Sequence, residues 1–211
     1  KPVRKYEPFF SQLLDHRHLF EFGKVVGVSP VLFYDPAERV VATLHPDHSW
    51  EKVVFDPWKQ TTWDVNDTVL MDAKTDVHVG SYFARLPDAD LQRSWYALRK
   101  DAANTAELTR QFPDTTDRDN EVAAATKAEV HADTPTSAHA DSLGRTVLTV
   151  VKNRFVKSGA TVNEEHKTRV VLDLEGNQRE VIDALDRVVM RYHYDMLGTR
   201  CCQESMEAGA R

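Results

Sequence analysis

Cysteine is scarce in this sequence. Only two of the 211 residues are cysteine, and these two, Cys201 and Cys202, are adjacent. Two neighbouring thiols cannot form a disulfide framework, so we expect packing and hydrogen bonds to hold the fold together. Arg200 is the only nearby charge that could activate these thiols, and we therefore interpret both as structural rather than redox-active.

Long apolar runs and a basic charge excess are missing as well. No stretch approaches the roughly 18 apolar residues of a membrane-spanning helix, so we expect no membrane insertion by this segment. The net charge is −6, with charges of both signs making up 28% of the residues, and we expect no nucleic-acid partner. The chain starts at Lys1 without a Met and ends inside a sequence pattern, which indicates a piece of a longer polypeptide.

The common motifs of enzymes and cofactor sites are also absent. The sequence has no G-x-S-x-G, no P-loop and no G-x-G-x-x-G. Two histidine pairs, His16 with His18 and His45 with His48, have ligand-like spacing but lack a third ligand at a recognised spacing. We therefore expect no catalytic centre, no metal and no cofactor.

What the sequence does contain is a repeated unit. An aromatic or aliphatic residue is followed by Asp, two spacers, Gly or an acidic residue, Arg and a β-branched run, as in "FYDPAERVV", "ADSLGRTV" and "YDMLGTR". Trp63 and Asp64 begin a degenerate version without the Arg. The residues that define the repeat are Tyr34, Asp35, Arg39, Asp141, Gly144, Arg145, Asp173, Gly176, Asp183, Arg187, Tyr194, Asp195, Gly198 and Arg200.

Two hypotheses compete for these Asp–Arg pairs. They could act as an acid paired with an anion clamp, but acid–base sites need a few converging groups rather than one pair repeated along the chain. As turns, the Asp side chain would bond backbone amides two residues on, Gly would take a positive φ, and the next strand would begin at the Arg. We favour hairpin turns. Where Glu38 and Asp186 replace Gly, we expect a different turn type that tolerates a side chain.

The period changes in the middle of the chain. In "LPDADLQRSWYALRKDAA", Leu91, Trp95, Leu98 and Ala102 have helical spacing, and a second helical pattern runs from 117 to 130. Between them, a turn of helix is expected to end at Pro113. The sequence thus predicts a β segment over 1–86, a helical insertion over 87–131 and a second β segment over 132–211.

Aromatic residues are dense in the first 63 positions, where Trp50, Trp58 and Trp63 lie. Cross-strand aromatic pairs commonly fill the inner layer of a sheet, and we favour that interpretation. The alternative is a carbohydrate- or cell-surface-binding β module that stacks sugars on these rings, so Trp50, Trp58 and Trp63 are a candidate partner or glycan surface.

The motifs "YDPAERVVATLHP", "ADSLGRTVLTV" and "YHYDMLGTR" resemble the YD repeats of the Rhs/YD-repeat superfamily. The stretch from "FEFGKVVGVSP" to "VVFDPWKQTTWDVNDTVL" and the last forty residues resemble bacterial insecticidal toxin complexes where the B component meets the C component. The resemblance implies a mainly β fold of antiparallel hairpins that form part of a curved β-shell, interrupted by the small helical insertion.

The same resemblance implies a function. In that family the shell encloses a cytotoxic C-terminal cargo and docks on a pore-forming A-type component that delivers it. The implied partners are therefore the rest of the same subunit or a companion C-type subunit, the A-type component and the enclosed cargo. The implied location is secreted, as part of a toxin complex, after the protein is made and held in the cytoplasm. The family's self-cleavage motif does not occur in this sequence.

Overall fold

A computed structural model describes residues 4, 10–12, 18–20, 29–91 and 94–210, and gives only the backbone for 10–12, 18–20, 89 and 90. The chain is mainly antiparallel β-sheet, which confirms the expected fold class. The strands are β1 Phe10–Gln12, β2 His18–Phe20, β3 Val31–Tyr34, β4 Val40–Leu44, β5 Trp50–Phe55, β6 Lys59–Trp63, β7 Thr136–Ala140, β8 Thr146–Lys157, β9 Ala160–Leu172, β10 Gln178–Ile182, β11 Val188–Tyr194, β12 Arg200–Ser205 and β13 Gly209–Ala210.

The helices lie between β6 and β7. They are α1 Gly80–Phe83, α2 Asp88–Leu91, α3 Trp95–Lys100, a 3-10 helix Ala102–Asn104, α4 Thr105–Gln111 and α5 Thr115–Val130. Strands β3 to β13 follow one another in chain order, each hydrogen-bonded to the next, whereas β1 and β2 form a separate pair. None of the helices in the described part of the chain is long and apolar enough to cross a membrane.

The chain divides into two compact units. Unit 1 comprises residues 1–53 and 64–129, and unit 2 comprises 54–63 and 130–211. The helices therefore belong to the same unit as strands β3 and β4. This division by contacts differs from the three segments that the sequence pattern predicts, 1–86, 87–131 and 132–211, which remain a prediction for the functional division of the chain.

Unit 1 has a hydrophobic core under strands β3 to β5. The sheet contributes Ala42, Leu44 and Trp50, and the segment after β6 contributes Val79 and Phe83. The Phe83 ring is completely buried and lies with its centroid 5.3 Å from that of Trp50. The buried apolar residues of β4 and β5 thus pack against the short helix α1.

Side-chain caps divide the helical region. The helical pattern through Leu91, Trp95, Leu98 and Ala102 is not continuous, because Ser94 is the non-helical N-cap of α3 and α3 ends at Lys100. The Ser94 hydroxyl accepts a hydrogen bond from the Ala97 amide at 3.2 Å, which fixes a new helix start. The second predicted helix is confirmed as α5.

Candidate functional site

The repeated unit forms one defined turn, which we call the Asp turn. In each Asp turn the Asp is the first residue, and its amide donates a hydrogen bond to the carbonyl of the fifth residue. The amide of the fourth residue donates to the carbonyl of the Asp. The distances are 3.0 and 2.9 Å at Asp35 and 2.9 and 3.0 Å at Asp141. The five Asp turns are residues 35–39, 141–145, 173–177, 183–187 and 195–199.

The carboxylate of each Asp accepts hydrogen bonds from backbone amides of its own turn. At Asp141, Oδ1 accepts from the Leu143 and Arg145 amides, each at 2.9 Å, while Oδ2 accepts from the Arg145 guanidinium at 2.7 Å. The same arrangement joins Asp183 to Arg187, with 3.0 Å to the amide and 2.6 Å to the guanidinium. The first residue of the turn therefore holds both the loop backbone and the start of the next strand.

These contacts shift the ionisation of the carboxylates. Hydrogen bonds from the Arg145 side chain and amide lower the pKa of Asp141, and the equivalent bonds from Arg187 lower that of Asp183. At Asp35 the hydrogen bond from the Arg39 amide is the main cause of a lowered pKa. A carboxylate held in the charged form by its own turn is suited to structure rather than to proton transfer.

The fourth position of every Asp turn has left-handed backbone. Gly144 has φ of 76°, Gly176 of 94° and Gly198 of 75°, values that glycine adopts without a steric penalty. Glu38 at 62° and Asp186 at 57° adopt the same conformation. The expectation of a different turn type at these two positions is therefore wrong: the hydrogen bonds of the Asp impose the same turn and the side chain is tolerated.

Exchanging residues at this fourth position tests the turn. Replacing Gly144 with Val should destabilise the chain by about 1–3 kcal/mol, because a β-branched side chain strains left-handed backbone. No atom lies within 4 Å of an added Cβ at Gly144, so the loss would come from the backbone alone. The reverse change, Asp186→Gly in another turn of unit 2, should cause no loss and a gain of up to about 1 kcal/mol. Urea unfolding of the 211-residue chain measures both, and an unchanged midpoint for Gly144→Val would contradict this assignment.

Two turns do not close on an Arg. Thr199 follows Gly198 and donates its amide to the Asp195 carboxylate at 2.8 Å. Arg200 lies one residue further on, with its guanidinium 5.5 Å from the centre of the Tyr192 ring. Arg200 is therefore a strand residue and not the ion-pair partner of Asp195 that the motif suggested. Asn177 closes the turn at Asp173 in the same way, with a 2.8 Å bond from its amide.

The two tyrosines of the motif end strands. Tyr34 is the last residue of β3, opposite Val40, at a register shift in the pairing. Tyr194 is the last residue of β11, and its hydroxyl donates to the Gln178 carbonyl at 3.0 Å. This bond joins the end of β11 to the start of β10 beside it.

A sixth hairpin turn has the same backbone pattern without an Asp in first position. The His45 amide donates to the Ser49 carbonyl at 2.8 Å, and the amide of His48, whose φ is 62°, donates to the His45 carbonyl at 2.9 Å. The His45–His48 spacing thus reflects a turn. Pro46 and Asp47 are turn-forming residues, so the turn that Pro46 predicts at this stretch is confirmed.

The degenerate unit at Trp63 and Asp64 is not a hairpin. The Asp64 carboxylate accepts from the Asn66 and Asp67 amides at 2.8 and 2.9 Å, and the Thr68 amide donates to the Asp64 carbonyl at 3.2 Å. This pattern starts a series of helical turns. The chain therefore leaves the sheet at Asp64, well before Pro87, where the sequence predicted the change.

Unit 2 has a single layer of sheet. Among the described residues from Thr136 to Ala210, not one is buried. Because successive side chains of a strand point to opposite faces, the strand register assigns each residue to one of two faces. Both faces of this sheet are therefore open within the described chain.

The two faces differ in charge. One face, which we call the charged face, contains a ladder in which Arg191 contacts Glu180 at 2.9 Å and Glu204 at 3.6 Å on the neighbouring strands. The other, which we call the uncharged face, contains directly paired neutral residues on β7 to β11, although Glu164 and His166 of β9 also lie on it. Its members on β7 to β11 include Ala138, Thr149, Thr168, Val170, Val181 and Met190.

The three tryptophans do not share one surface. Trp50 is 5% exposed and packs in the core of unit 1, so the hypothesis that it contributes to a glycan surface is wrong. In unit 2, Trp58 is 56% exposed at the tip of the β5–β6 turn, and the indole of Trp63 donates to Asp133 at 3.0 Å.

Cysteine and histidine form no cluster in the described part of the chain. Cys201 and Cys202 are free thiols on β12. No group of three or more His, Cys, Asp or Glu side chains among the described residues could hold a metal ion. His16 lies outside the described residues.

Fold and repeat together define a class: an antiparallel sheet built from consecutive hairpins, most of them closed by Asp turns. Solved structures share this fold. No protein-family model matches the sequence, and no match was found among curated proteins. The chain is similar in structure to the TcdB2-TccC3-Cdc42 complex, with a TM-score of 0.56, 16% identity and 87% of this chain covered. The TcdB2-TccC3-TEV complex gives 0.55, and the Tc holotoxin pore of Photorhabdus luminescens gives 0.53, at the same identity and coverage of this chain.

At 16% identity, the similarity to these structures shows that the chain shares their fold. It confirms, at the level of the fold, the resemblance that the repeat motifs indicated. The chain spans about 7% of the length of each of these structures.

Proposed function

We propose that the chain is a structural segment of a toxin-complex subunit, in which YD-repeat hairpins form part of a β-shell that encloses a cytotoxic C-terminal cargo. The observation that carries this proposal is the single-layered sheet of unit 2. A sheet without a buried side chain between Thr136 and Ala210 has no hydrophobic core of its own. Such a sheet suits the wall of a larger particle, where pairing with further strands continues on both sides.

The two faces of the sheet suit the two sides of a wall. Cross-strand ion pairs such as Arg191 with Glu180 keep the charged face compatible with water. Val170, Val181 and Met190 form a row of neutral side chains on the opposite face. We assign the uncharged face to the enclosed side of the shell and the charged face to solvent.

Exposed apolar side chains at the turn tips support contact with the rest of the same subunit. Leu174 and Met196 are each 99% exposed, in the β9–β10 and β11–β12 turns. Leu143 lies at the tip of the β7–β8 turn, at the same end of the sheet. Exposed apolar groups at neighbouring turn tips of a sheet are typical of an interaction surface.

The partners follow from the proposed role. They are the remainder of the same subunit or a companion C-type subunit, the enclosed cargo and a pore-forming A-type component. The structural neighbours support this choice, since they are complexes of TcdB2 with TccC3 and a Tc holotoxin pore. The subunit would be secreted as part of the complex after being made and held in the cytoplasm.

Containment is the mechanism that we propose, without a catalytic centre in this segment. The Asp turns would fix the hairpin register so that each strand is presented to its neighbours in the wall. In this scheme residues 1–86 and 132–211 supply shell strands, and residues 87–131 are a helical insertion.

Protease protection of the cargo tests this function. In the full-length subunit that carries this segment, the C-terminal cargo should resist trypsin under native conditions and be digested once urea opens the shell. The cargo region expressed alone is the control and should be digested at once. Equal digestion of the cargo in both native samples would contradict containment.

A further inference from the structure

Unit 1 contains a cavity of about 430 Å³ that the shell function does not use. It lies between the β4–β5 turn, the helical turns that follow β6, and the start of α3. Its volume falls in the range of pockets that hold small organic molecules, about 300–1,000 Å³.

Hydrogen bonds fix the walls of this cavity relative to one another. The Trp95 amide at the start of α3 donates to the Asp47 carbonyl of the β4–β5 turn at 3.0 Å. The buried hydroxyl of Thr68 donates to the Trp50 carbonyl at 2.5 Å, which joins the helical turns to β5. The cavity is therefore held open by the fold of unit 1 itself, and a ligand would pay little to organise it.

The walls combine indole rings with carboxylates. Trp50 and Trp95 both line the cavity, as do Asp47 and Asp72. Asp47 accepts hydrogen bonds from the amide and hydroxyl of Ser49 through Oδ1 alone, at 3.0 and 2.6 Å. Asp72 likewise uses only Oδ1, to accept from the Lys74 amide at 3.0 Å.

The charge of the lining is negative. Lys74 is the one lysine or arginine among the described residues that line the cavity, and its ammonium contacts the third carboxylate, Asp88. Within the described chain, neither Asp47 nor Asp72 has an ion-pair partner. Aromatic faces attract cations, and carboxylates with an open oxygen accept charge-assisted hydrogen bonds from them.

We propose that this cavity is a binding site for a small organic cation with an apolar body, of the arylalkylamine class. The ammonium group is recognised by Asp47 and Asp72, and the apolar body by the indole walls. A neutral or anionic molecule of the same shape lacks the charge that the two carboxylates select. Binding here is independent of the shell function, so each can fail without the other.

The test compares three probes of similar shape by isothermal titration calorimetry of the 211-residue chain. The probes are 2-phenylethylamine, 2-phenylethanol and 3-phenylpropionate. The amine should bind saturably, the alcohol about tenfold or more weakly, and the carboxylate should show no binding. Equal binding of amine and alcohol, or no saturable amine binding up to about 10 mM, would overturn the proposal.

Two variants test whether the amine binds in this cavity. Asp47→Asn combined with Asp72→Asn keeps the Oδ1 acceptors and should weaken amine binding about tenfold or more. Asp119→Asn removes an exposed carboxylate of α5 that does not line the cavity, and should leave the affinity unchanged. Circular dichroism verifies that both variants are folded. Unchanged amine affinity in the folded double variant would show that the amine binds elsewhere, and would overturn the assignment.

Discussion

Phe83→Ala is expected to destabilise unit 1 by about 3–5 kcal/mol. The ring is completely buried, with its centroid 4.8 Å from that of Phe33 and 5.3 Å from that of Trp50. Truncation removes these contacts and leaves a cavity between the sheet and α1, which cannot collapse without moving both. The change in the urea midpoint, followed by tryptophan fluorescence, measures the loss because Trp50 lies beside the ring.

Phe83→Leu is the matched control for this substitution. It keeps most of the buried volume and should cost less than about 1.5 kcal/mol. Similar losses for the alanine and leucine variants, or a loss under about 1 kcal/mol for alanine, would show that Phe83 does not anchor the core of unit 1.

Asp76→Ala is expected to cost about 3 kcal/mol or more. The Asp76 carboxylate contacts the Lys52 ammonium at 2.5 Å, and both side chains are less than a tenth exposed. It also accepts from the His78 and Val79 amides at 2.9 and 3.1 Å, just before α1. The substitution therefore removes the carboxylate that pairs with the buried Lys52 ammonium, and it also removes the hydrogen-bond acceptor of the His78 and Val79 amides.

The double variant Lys52→Met with Asp76→Ala should be more stable than Asp76→Ala alone, because it no longer buries a charge whose carboxylate partner has gone. Urea unfolding of Asp76→Ala, Lys52→Met and the double variant decides this. A double variant that loses as much as the sum of the two single variants would show that the two side chains are not coupled.

The same pair predicts a pH dependence. Burial acts to raise the pKa of Asp76, but the hydrogen bonds from Lys52, His78 and Val79 outweigh it and hold the pKa below its ordinary value of 3.8. A carboxyl group with a lowered folded-state pKa stabilises the fold above its unfolded pKa, and that contribution is lost as the pH falls below 3.8. Asp76→Asn should therefore show a weaker loss of stability on acidification than the parent chain.

The hairpins could be predicted from sequence because each is encoded within five residues. An Asp that bonds its own loop, as Asp141 does, needs no distant partner, and the alternation in the strand that follows is equally local. The helical pattern from 117 to 130 is also local to its own stretch of sequence, and it predicts α5. Features of this kind are visible in a single sequence.

The features of the fold that could not be predicted from the sequence depend on tertiary contacts or on a single helix cap. The helical spacing from Leu91 to Ala102 could not show that Ser94 would start a new helix. The four-residue α1 is too short for any periodicity, although it supplies Phe83 to the core. The favoured interpretation of the aromatic residues as core is confirmed for Trp50, but which of the tryptophans is buried depends on packing against α1, which the sequence does not show.

The proposed containment requires the sheet of unit 2 to be a wall with one enclosed face. Two adjacent valines offer a matched pair, since Val170 lies on the uncharged face opposite Val181 and Val171 on the charged face opposite Glu180. Each would be changed to Cys in a cysteine-free full-length subunit that carries this segment, with Cys201 and Cys202 replaced by Ser.

Labelling these two thiols with a polyethylene-glycol maleimide tests the claim directly. In the native subunit we expect Val171→Cys to be labelled and Val170→Cys to be protected, and after unfolding we expect both to be labelled. In the isolated 211-residue chain, whose sheet has both faces open, both should react. Equal labelling of the two positions in the native full-length subunit would contradict the account.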